Sequence, residues 1–299
     1  MTNITVKQLR YVDALARHGH FGQAAEASAI SQPALSMQIK ELEASLGLHL
    51  FERSARQVRL TGFGEAFVVR AREILRSMDE LHELATTARD GVMGRLRLGV
   101  IPTIAPYLLP ALISGLSQKY PGLDLHVRET LTEKLIAELT DGRLDAAIVA
   151  LPVSESSLQE VALFDETFVL VRPHSDAMNP VPDPDALREM RLLLLEEGHC
   201  FRDQALSFCD IRASLPAEGL EGSSLSTLVQ MVSAGIGVTL IPEMAVPVET
   251  RSANVDVARF DGVQPRRTIG MIWRKSSVMD AQLTEVSDLV RRTANQPAV

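Results

Sequence analysis

From Glu65 to Asp90 the chain contains neither glycine nor proline, and this segment constrains the fold more than any other. Phe63, Phe67, Ala71, Ile74, Met78, Leu81, Ala85 and Ala88 follow one another by fours and threes. That spacing draws one apolar stripe along a helix. At ~1.5 Å per residue the helix is about 40 Å long. Such a helix needs something to cover its stripe. The simplest cover is a second copy of itself, and the alternative is the body of the same chain. The helix also divides the molecule into a short head and a long remainder.

The head reads as short helices joined by turns. Val6, Leu9, Val12, Leu15 and Ala16 recur at helical spacing. His18 to Phe21 interrupt them, and the Ala-rich stretch from Gln23 to Ala27 forms a second helix. Ser31 then offers an N-cap and Pro33 falls in the first turn of a third helix, where its missing N–H costs nothing. Met37, Ile39, Leu42 and Leu46 carry that helix to Gly47, a C-cap residue. Two short helices around a tight turn, the second opening on small polar residues, form the helix-turn-helix pattern. Arg53, Arg56 and Arg59 recur every three residues in the stretch that follows. They read as a β-wing reaching phosphate or minor groove, or as a solvated hairpin.

After Gly91-Val92-Met93-Gly94 the pattern changes to alternating strands and helices. Strands are predicted at Leu96–Ile101, Leu123–Arg128, Ala146–Leu151, Phe168–Val171, Leu192–Leu195, Val238–Pro242 and Thr268–Trp273. Helices are predicted at Tyr107–Lys119, Thr132–Leu139, Ser224–Ala234 and about Asp280–Arg292. The alternation predicts a parallel sheet covered on both faces, in two α/β lobes with a cleft at the strand ends.

Charge divides the same way. The net charge is −8, which by itself argues against nucleic acid. Residues 1–60 nevertheless carry seven basic against five acidic side chains, a net of +2, leaving −10 elsewhere. A mildly basic head on an acidic body suits a DNA reader whose body stays off the duplex. The N-terminus lacks a basic-then-apolar leader pattern, and no apolar run reaches the ~18 residues a membrane span needs. The expected location is the cytoplasm, with no membrane contact.

Two cysteines, Cys200 and Cys209, are the whole thiol complement. In a cytoplasmic chain such a pair is inert, redox-active or metal-binding. Zinc is a poor fit, since a structural site needs four ligands and only His199 stands near them in sequence. No metal and no cofactor is called for.

Specific residues add a resemblance. Leu9-Arg10-Tyr11, Phe21-Gly22-Gln23-Ala24-Ala25, Ser31-Gln32-Pro33-Ala34-Leu35-Ser36, Ile39-Lys40-Glu41-Leu42-Glu43, Leu50-Phe51-Glu52-Arg53 and Leu60-Thr61 are similar to the head of the LysR-type transcriptional regulators. The likeness extends over the whole chain. Gly198-His199-Cys200-Phe201-Arg202-Asp203-Gln204, with Cys209 following, resembles the hydrogen-peroxide-sensing branch of that family.

The resemblance implies a multidomain α+β chain. Its parts are a winged helix-turn-helix over 1–61, a linker helix for dimerisation over 62–90, and a two-lobed α/β regulatory domain over 91–299. That domain is like a periplasmic binding protein, with lobes 91–165 plus 268–299 and 166–267. Cys200 is then the peroxidatic thiol and Cys209 the resolving one, joined as a disulfide after oxidation. A free thiol titrates near ~8.5, so His199 and a cation such as Arg267 are expected to favour the thiolate.

Thr103, Thr132, His199, Asp203 and Arg267 are the expected peroxide pocket. Each also has a plainer role: Thr103 and Thr132 as helix N-caps, Asp203 as a helix-end charge, Arg267 as strand decoration. Ser31, Gln32, Pro33, Ser36 and Gln38, within a helix-turn-helix from about Phe21 to Lys40, are expected in the major groove, with Arg53 and Arg56 on backbone or minor groove.

The implied partners are double-stranded operator DNA, hydrogen peroxide as signal, RNA polymerase, and further copies in a homodimer or homotetramer. The implied activity is regulation, not enzymatic turnover. Two other readings compete: a metabolite-responsive regulator of the same family without thiol sensing, and a thiol peroxidase. If one rigid helix joined Cys200 to Cys209, their Cα atoms would lie ~13 Å apart, whereas a disulfide needs less than ~7 Å. Bond formation would then refold the segment.

Overall fold

The computed structural model describes residues 4–53, 58–90, 94–208, 221–262 and 264–294. It divides into two units, Met1–Gly91 and Val92–Val299.

In the first unit α1 spans Val6–His18, α2 Phe21–Ala27 and α3 Gln32–Leu46. Strands β1 (Phe51–Arg53) and β2 (Val58–Leu60) form the wing, and α4 runs Gly62–Asp90. The ends of these helices are written in the sequence. Thr5 and Gln8 make a reciprocal capping box on α1, and Gly19 closes it at φ 61°. The Ser31 hydroxyl accepts from Ala34 N, and Gly47 ends α3 at φ 69°. Val12, Leu15, Leu35, Ile39 and Leu42 are fully buried in one core, which Val68 of α4 joins.

Two buried acids fix the geometry of this head. Glu43 Oε1 accepts from Leu50 N and Phe51 N at 2.8 and 3.2 Å, aiming the start of the wing. Asp13 pairs with Arg17 at 2.5 Å and with Arg72 at 2.7 Å, tying α4 to α1. Farther along α4, Ile74, Met78 and Leu81 remain 50, 40 and 64 % exposed.

The second unit begins with β3 (Arg95–Val100), α5 (Ala105–Lys119), β4 (Asp124–Glu129), α6 (Thr132–Thr140) and β5 (Ala146–Leu151). Strand β6 follows over Leu158–Pro173, then α7 (Pro184–Glu189), β7 (Leu194–Leu195) and α8 (Cys200–Phe208). The chain continues through β8 (Glu221–Gly222), α9 (Leu225–Ser233), β9 (Thr239–Pro242), α10 (Val246–Glu249) and β10 (Val255–Ala258). It ends with β11 (Arg266–Arg274) and α11 (Asp280–Ala294).

The main sheet has the order β10-β6-β11-β5-β3-β4, with β9 also on β6. It is mixed, which corrects the wholly parallel sheet expected from the alternation. β3 is parallel to β4 and β5, as βαβ crossovers require. β11 is antiparallel to both β5 and β6, and β9 and β10 are antiparallel to β6. The reason is that β6 continues for sixteen residues from one lobe into the other, and β11 comes back beside it.

Two cores result. Leu96, Leu98, Ile148, Ile269, Met271 and Trp273 belong to one, while Phe168, Leu170, Leu193, Phe201, Leu228 and Ile241 belong to the other. The second stretch of β6, Phe168–Val171, is the apolar piece legible in the sequence. The part of β6 before it carries Glu160, Asp165 and Glu166, which break the apolar pattern. The anticipated class, a winged helix-turn-helix with a long helix and a two-lobed α/β body, is the one observed. Among the described residues no helix is long and apolar enough to cross a membrane.

Candidate functional site

The carboxyl ends of β3 and β4 and the start of α8 converge on a narrow crevice. Ile101, Pro102 and Thr103 line it from the turn after β3. Leu131 and Thr132 contribute from the start of α6, and Gly198, His199, Cys200 and Phe201 from the approach to α8. Strand ends are where α/β sheets present their loops, so the position follows from topology. Gly198 is in the left-handed region at φ 92°, a conformation that strains any residue with a Cβ.

Cys200 is a free, half-buried thiol at the first residue of α8. It packs against the core of the lobe built on β3 and β5, although its own helix belongs to the other lobe's core. The thiol therefore sits at the junction of the lobes.

The polar groups around it carry little net charge. Thr132 Oγ1 is buried and has no hydrogen-bond partner. Leaving a buried hydroxyl unsatisfied costs ~1–3 kcal/mol, a cost that a polar ligand removes. Neither threonine is an N-cap: Ile104 holds that place on α5 and Leu131 on α6. Thr103 Oγ1 instead accepts from Arg267 Nη1 at 2.9 Å, which leaves its own O–H free to donate into the crevice. His199 is half-buried, and burial lowers its pKa against a weaker opposing pull from Glu196. It is therefore a neutral imidazole at pH 7, with one donor and one acceptor nitrogen.

Two expected sources of positive charge thus work differently. His199 offers hydrogen bonds, not charge. Arg267 does not line the crevice and is buried, pairing with Glu166 at 2.6 Å. Its guanidinium lies over the rings of Phe168 and Phe201, 5.6 and 5.4 Å from their centroids. Of the residues that line the crevice, it touches Thr103 and Phe201. Asp203 is exposed and does not line the crevice. Cys209 lies outside the described residues.

Sequence reasoning missed Glu166, because an acid between Phe164 and Phe168 reads as a break in a strand. The signal available was its partner type, a buried arginine that must be balanced.

A second, wider cleft adjoins the first and shares Thr103 and His199 with it. Tyr107, Glu129, Ser226 and Glu249 also line it. Tyr107 Oη donates to Glu249 at 2.6 Å and Ser226 Oγ does so at 2.5 Å. Burial, with Glu249 beside it, pushes the Tyr107 hydroxyl well above its ordinary range.

In the first unit, Ser31, Gln32 and Pro33 are exposed at the start of α3, and Ser36 and Gln38 are half-buried. The Ser31 hydroxyl is committed to its cap, and Gln38 Nε2 donates to Glu41 at 2.8 Å. With Leu35, Ile39 and Leu42 facing the core, helical spacing places Pro33, Met37 and Lys40 on the opposite face. Met37 is 54 % exposed there and was not foreseen from the sequence. Arg53 belongs to β1, while its side chain and Arg56 lie outside the described residues. Among the described residues no group of three His, Cys, Asp or Glu could hold a metal ion.

Known proteins of similar sequence cover both units. A family model described as "Bacterial regulatory helix-turn-helix protein, lysR family" matches residues 6–65, and one described as "LysR substrate binding domain" matches residues 89–295. A protein named "Probable hydrogen peroxide-inducible genes activator" from Streptomyces viridosporus is 44% identical over 292 residues, covering 96% of this chain and 93% of that protein. The "DNA-binding transcriptional dual regulator OxyR" of Escherichia coli is 40% identical over 291 residues, covering 96% and 95%. Among solved structures, a full-length cysteine-to-aspartate variant of OxyR from Pseudomonas aeruginosa superposes with a TM-score of 0.78. It is 38% identical and covers 97% of this chain and 95% of that one. A peroxide-bound cysteine-to-serine mutant of OxyR from Corynebacterium glutamicum gives a TM-score of 0.66, with 36% identity and coverage of 98% and 93%.

Proposed function

This chain belongs to the LysR family of bacterial regulatory proteins, and from that premise we propose that it is a hydrogen-peroxide-sensing, DNA-binding transcription regulator. One observation carries the sensing part. A thiol at a helix N-terminus shares a tight crevice with a buried, unpartnered threonine hydroxyl and a neutral imidazole. Such a site suits a small neutral hydrogen-bonding oxidant better than a charged metabolite.

The proposed chemistry uses Cys200 first. Its thiolate attacks one peroxide oxygen, the S–O bond forms and the O–O bond breaks. The departing hydroxide takes a proton along His199 and the threonine hydroxyls and leaves as water. The Cys209 thiol then gives up its proton and attacks the Cys200 sulfur, so that an S–S bond forms, the S–O bond breaks, and the departing hydroxide takes up that proton and leaves as a second water. Helix α8 separates the Cα atoms of Cys200 and Phe208 by about 12 Å. One further peptide step recovers at most ~3.8 Å, so a bond to the next residue requires α8 to unwind. That unwinding is the proposed switch.

DNA reading is assigned to the exposed start of α3 and to Arg53 and Arg56 on the wing. Linker helix 62–90 is assigned to self-association, supported by its exposed Ile74, Met78 and Leu81. A dimer or tetramer on operator DNA, acting with RNA polymerase in the cytoplasm, completes the reading. The domain limits 1–61, 62–90 and 91–299 are proposed as its working parts.

Non-reducing mass mapping after stoichiometric peroxide, with operator binding measured in parallel, tests it. The expected result is a Cys200–Cys209 disulfide and altered operator binding, both lost in Cys200→Ser. The wider cleft, with its acids and hydroxyls, favours the metabolite-responsive alternative if Cys200→Ser keeps a full peroxide response.

A further inference from the structure

Helix α3 turns by about 100° per residue, which places each of its side chains around the axis. Leu35, Ile39 and Leu42 point within about 60° of one another and are fully buried. Met37 points about 170° away from their mean direction, on the far side of the helix. Pro33, Lys40 and Ala44 share that side with it, and all four are exposed. Among the residues of α3, Met37 is the one large hydrophobic side chain left exposed, at 54 %. It takes no part in the core of the head. Polar neighbours are partly committed elsewhere: the Ser31 hydroxyl accepts from Ala34 N at 3.4 Å, and Gln38 Nε2 donates to Glu41 at 2.8 Å. The middle of the face that α3 turns away from the head is therefore a thioether chain with nothing to donate and only a weak acceptor.

We propose that Met37 is a specificity-determining residue that reads a thymine by contact with its C5-methyl group in the major groove. The proposal rests on the assignment of α3 to DNA reading. A recognition helix sets the exposed side chains of its first turns against base edges, and Met37 is the sixth residue of α3. Of the four bases, thymine alone presents a methyl group in that groove. Taking one such group out of water is worth about fourfold in affinity. An unbranched side chain with a polarizable sulfur adapts readily to a small apolar target. Against the other bases the same side chain covers polar groups that it cannot satisfy, so the preference works by exclusion as well as by attraction.

The test starts from duplexes that the full chain, kept reduced, retains from a random-sequence DNA pool. Each thymine of the retained consensus is replaced in turn by deoxyuridine, which removes the C5-methyl and leaves every hydrogen-bonding group in place. At one thymine of a half-site the replacement is expected to weaken binding by the parent chain about fourfold. Met37→Ala is expected to bind the thymine duplex more weakly than the parent and to make no distinction between thymine and deoxyuridine at that position. Its salt slope is expected to match the parent's, because a methyl contact releases no counterion. Met37→Gln keeps the length and the helix propensity of methionine, and it is expected to lose the same distinction.

A merely structural role for Met37 predicts another pattern: both variants weaken on every duplex alike, and the deoxyuridine effect persists in them undiminished. That result overturns the proposal, since the methyl contact then belongs to another residue. A parent chain that tolerates deoxyuridine at every thymine, or a retained consensus without thymine, overturns it too. Met37 is exposed, so both variants are expected to keep the parent's thermal unfolding; if one does not fold, the other decides. A chain that retains no duplex refutes the DNA-reading assignment and this proposal with it. One that retains duplexes but needs no thymine methyl refutes this proposal alone.

Discussion

Helices α3 and α8 each open on the residues that define their region, and they are built to opposite standards. α3 has fifteen residues, a serine cap, a proline in its first turn, a left-handed glycine at its end, and Leu35, Ile39 and Leu42 fully buried. α8 has nine residues, of which Phe201, Ala205 and Leu206 are buried. A nine-residue helix is marginal in isolation and depends on its packing. A reader of DNA must keep one shape. The proposed switch, in which disulfide formation unwinds α8, requires a helix that loses shape at small cost.

The comparison breaks most visibly in the α3 core. Ile39→Ala should cost ~2–5 kcal/mol, enough to unfold a marginal head and abolish DNA binding. Thermal unfolding and operator binding measure this, and Cys200 alkylation should be unchanged. A slower alkylation would show that the two regions are not independent. Next in size is the wing. Arg53→Ala should weaken binding to all DNA sequences several-fold and reduce the salt slope by about one, since it removes one phosphate contact. An unaltered salt slope counts against a phosphate-contacting wing, and the rate of peroxide oxidation should not move.

A pH series sharpens the sensor side. His199 has its pKa lowered by burial, so as pH falls below ~6.5 the unfolded chain takes up a proton that the folded one resists. Stability from this residue is therefore whole at pH 7 and above and declines on acidification. His199→Gln should flatten the dependence of Tm on pH between 5 and 7. An equally steep profile in that variant would place the effect elsewhere. The smallest effect is expected at exposed Ser207. Ser207→Ala should stabilise α8 by ~0.5 kcal/mol and slow disulfide formation about twofold, measured by quenched alkylation after peroxide. Faster closure would mean that α8 does not unwind before the bond forms.

Much of this molecule was legible in its residues. The linker helix, the capped α3, the Ala146–Leu151 strand and the late apolar strand are local patterns. A cap, a stripe or a β-branched run acts within a few positions of itself. The same holds for the thiol and its flanking Gly198-His199. Two boundaries were misjudged, and for one reason. β6 begins ten residues before Phe168 and β11 begins at Arg266, not Thr268, because each carries a buried charge that looks like a loop signal until its partner is known.

The sequence alone therefore determined the helices of the head, the linker helix, the main strands of the body and which thiols are available to sense. Only the tertiary structure decided what surrounds Cys200. It brought Glu166 against Arg267 across 101 positions of chain, left Asp203 in solvent, and buried Thr132 Oγ1 without a partner. Charge balance in a core is a property of contacts between distant segments. It depends on register across a sheet, and no local pattern specifies it.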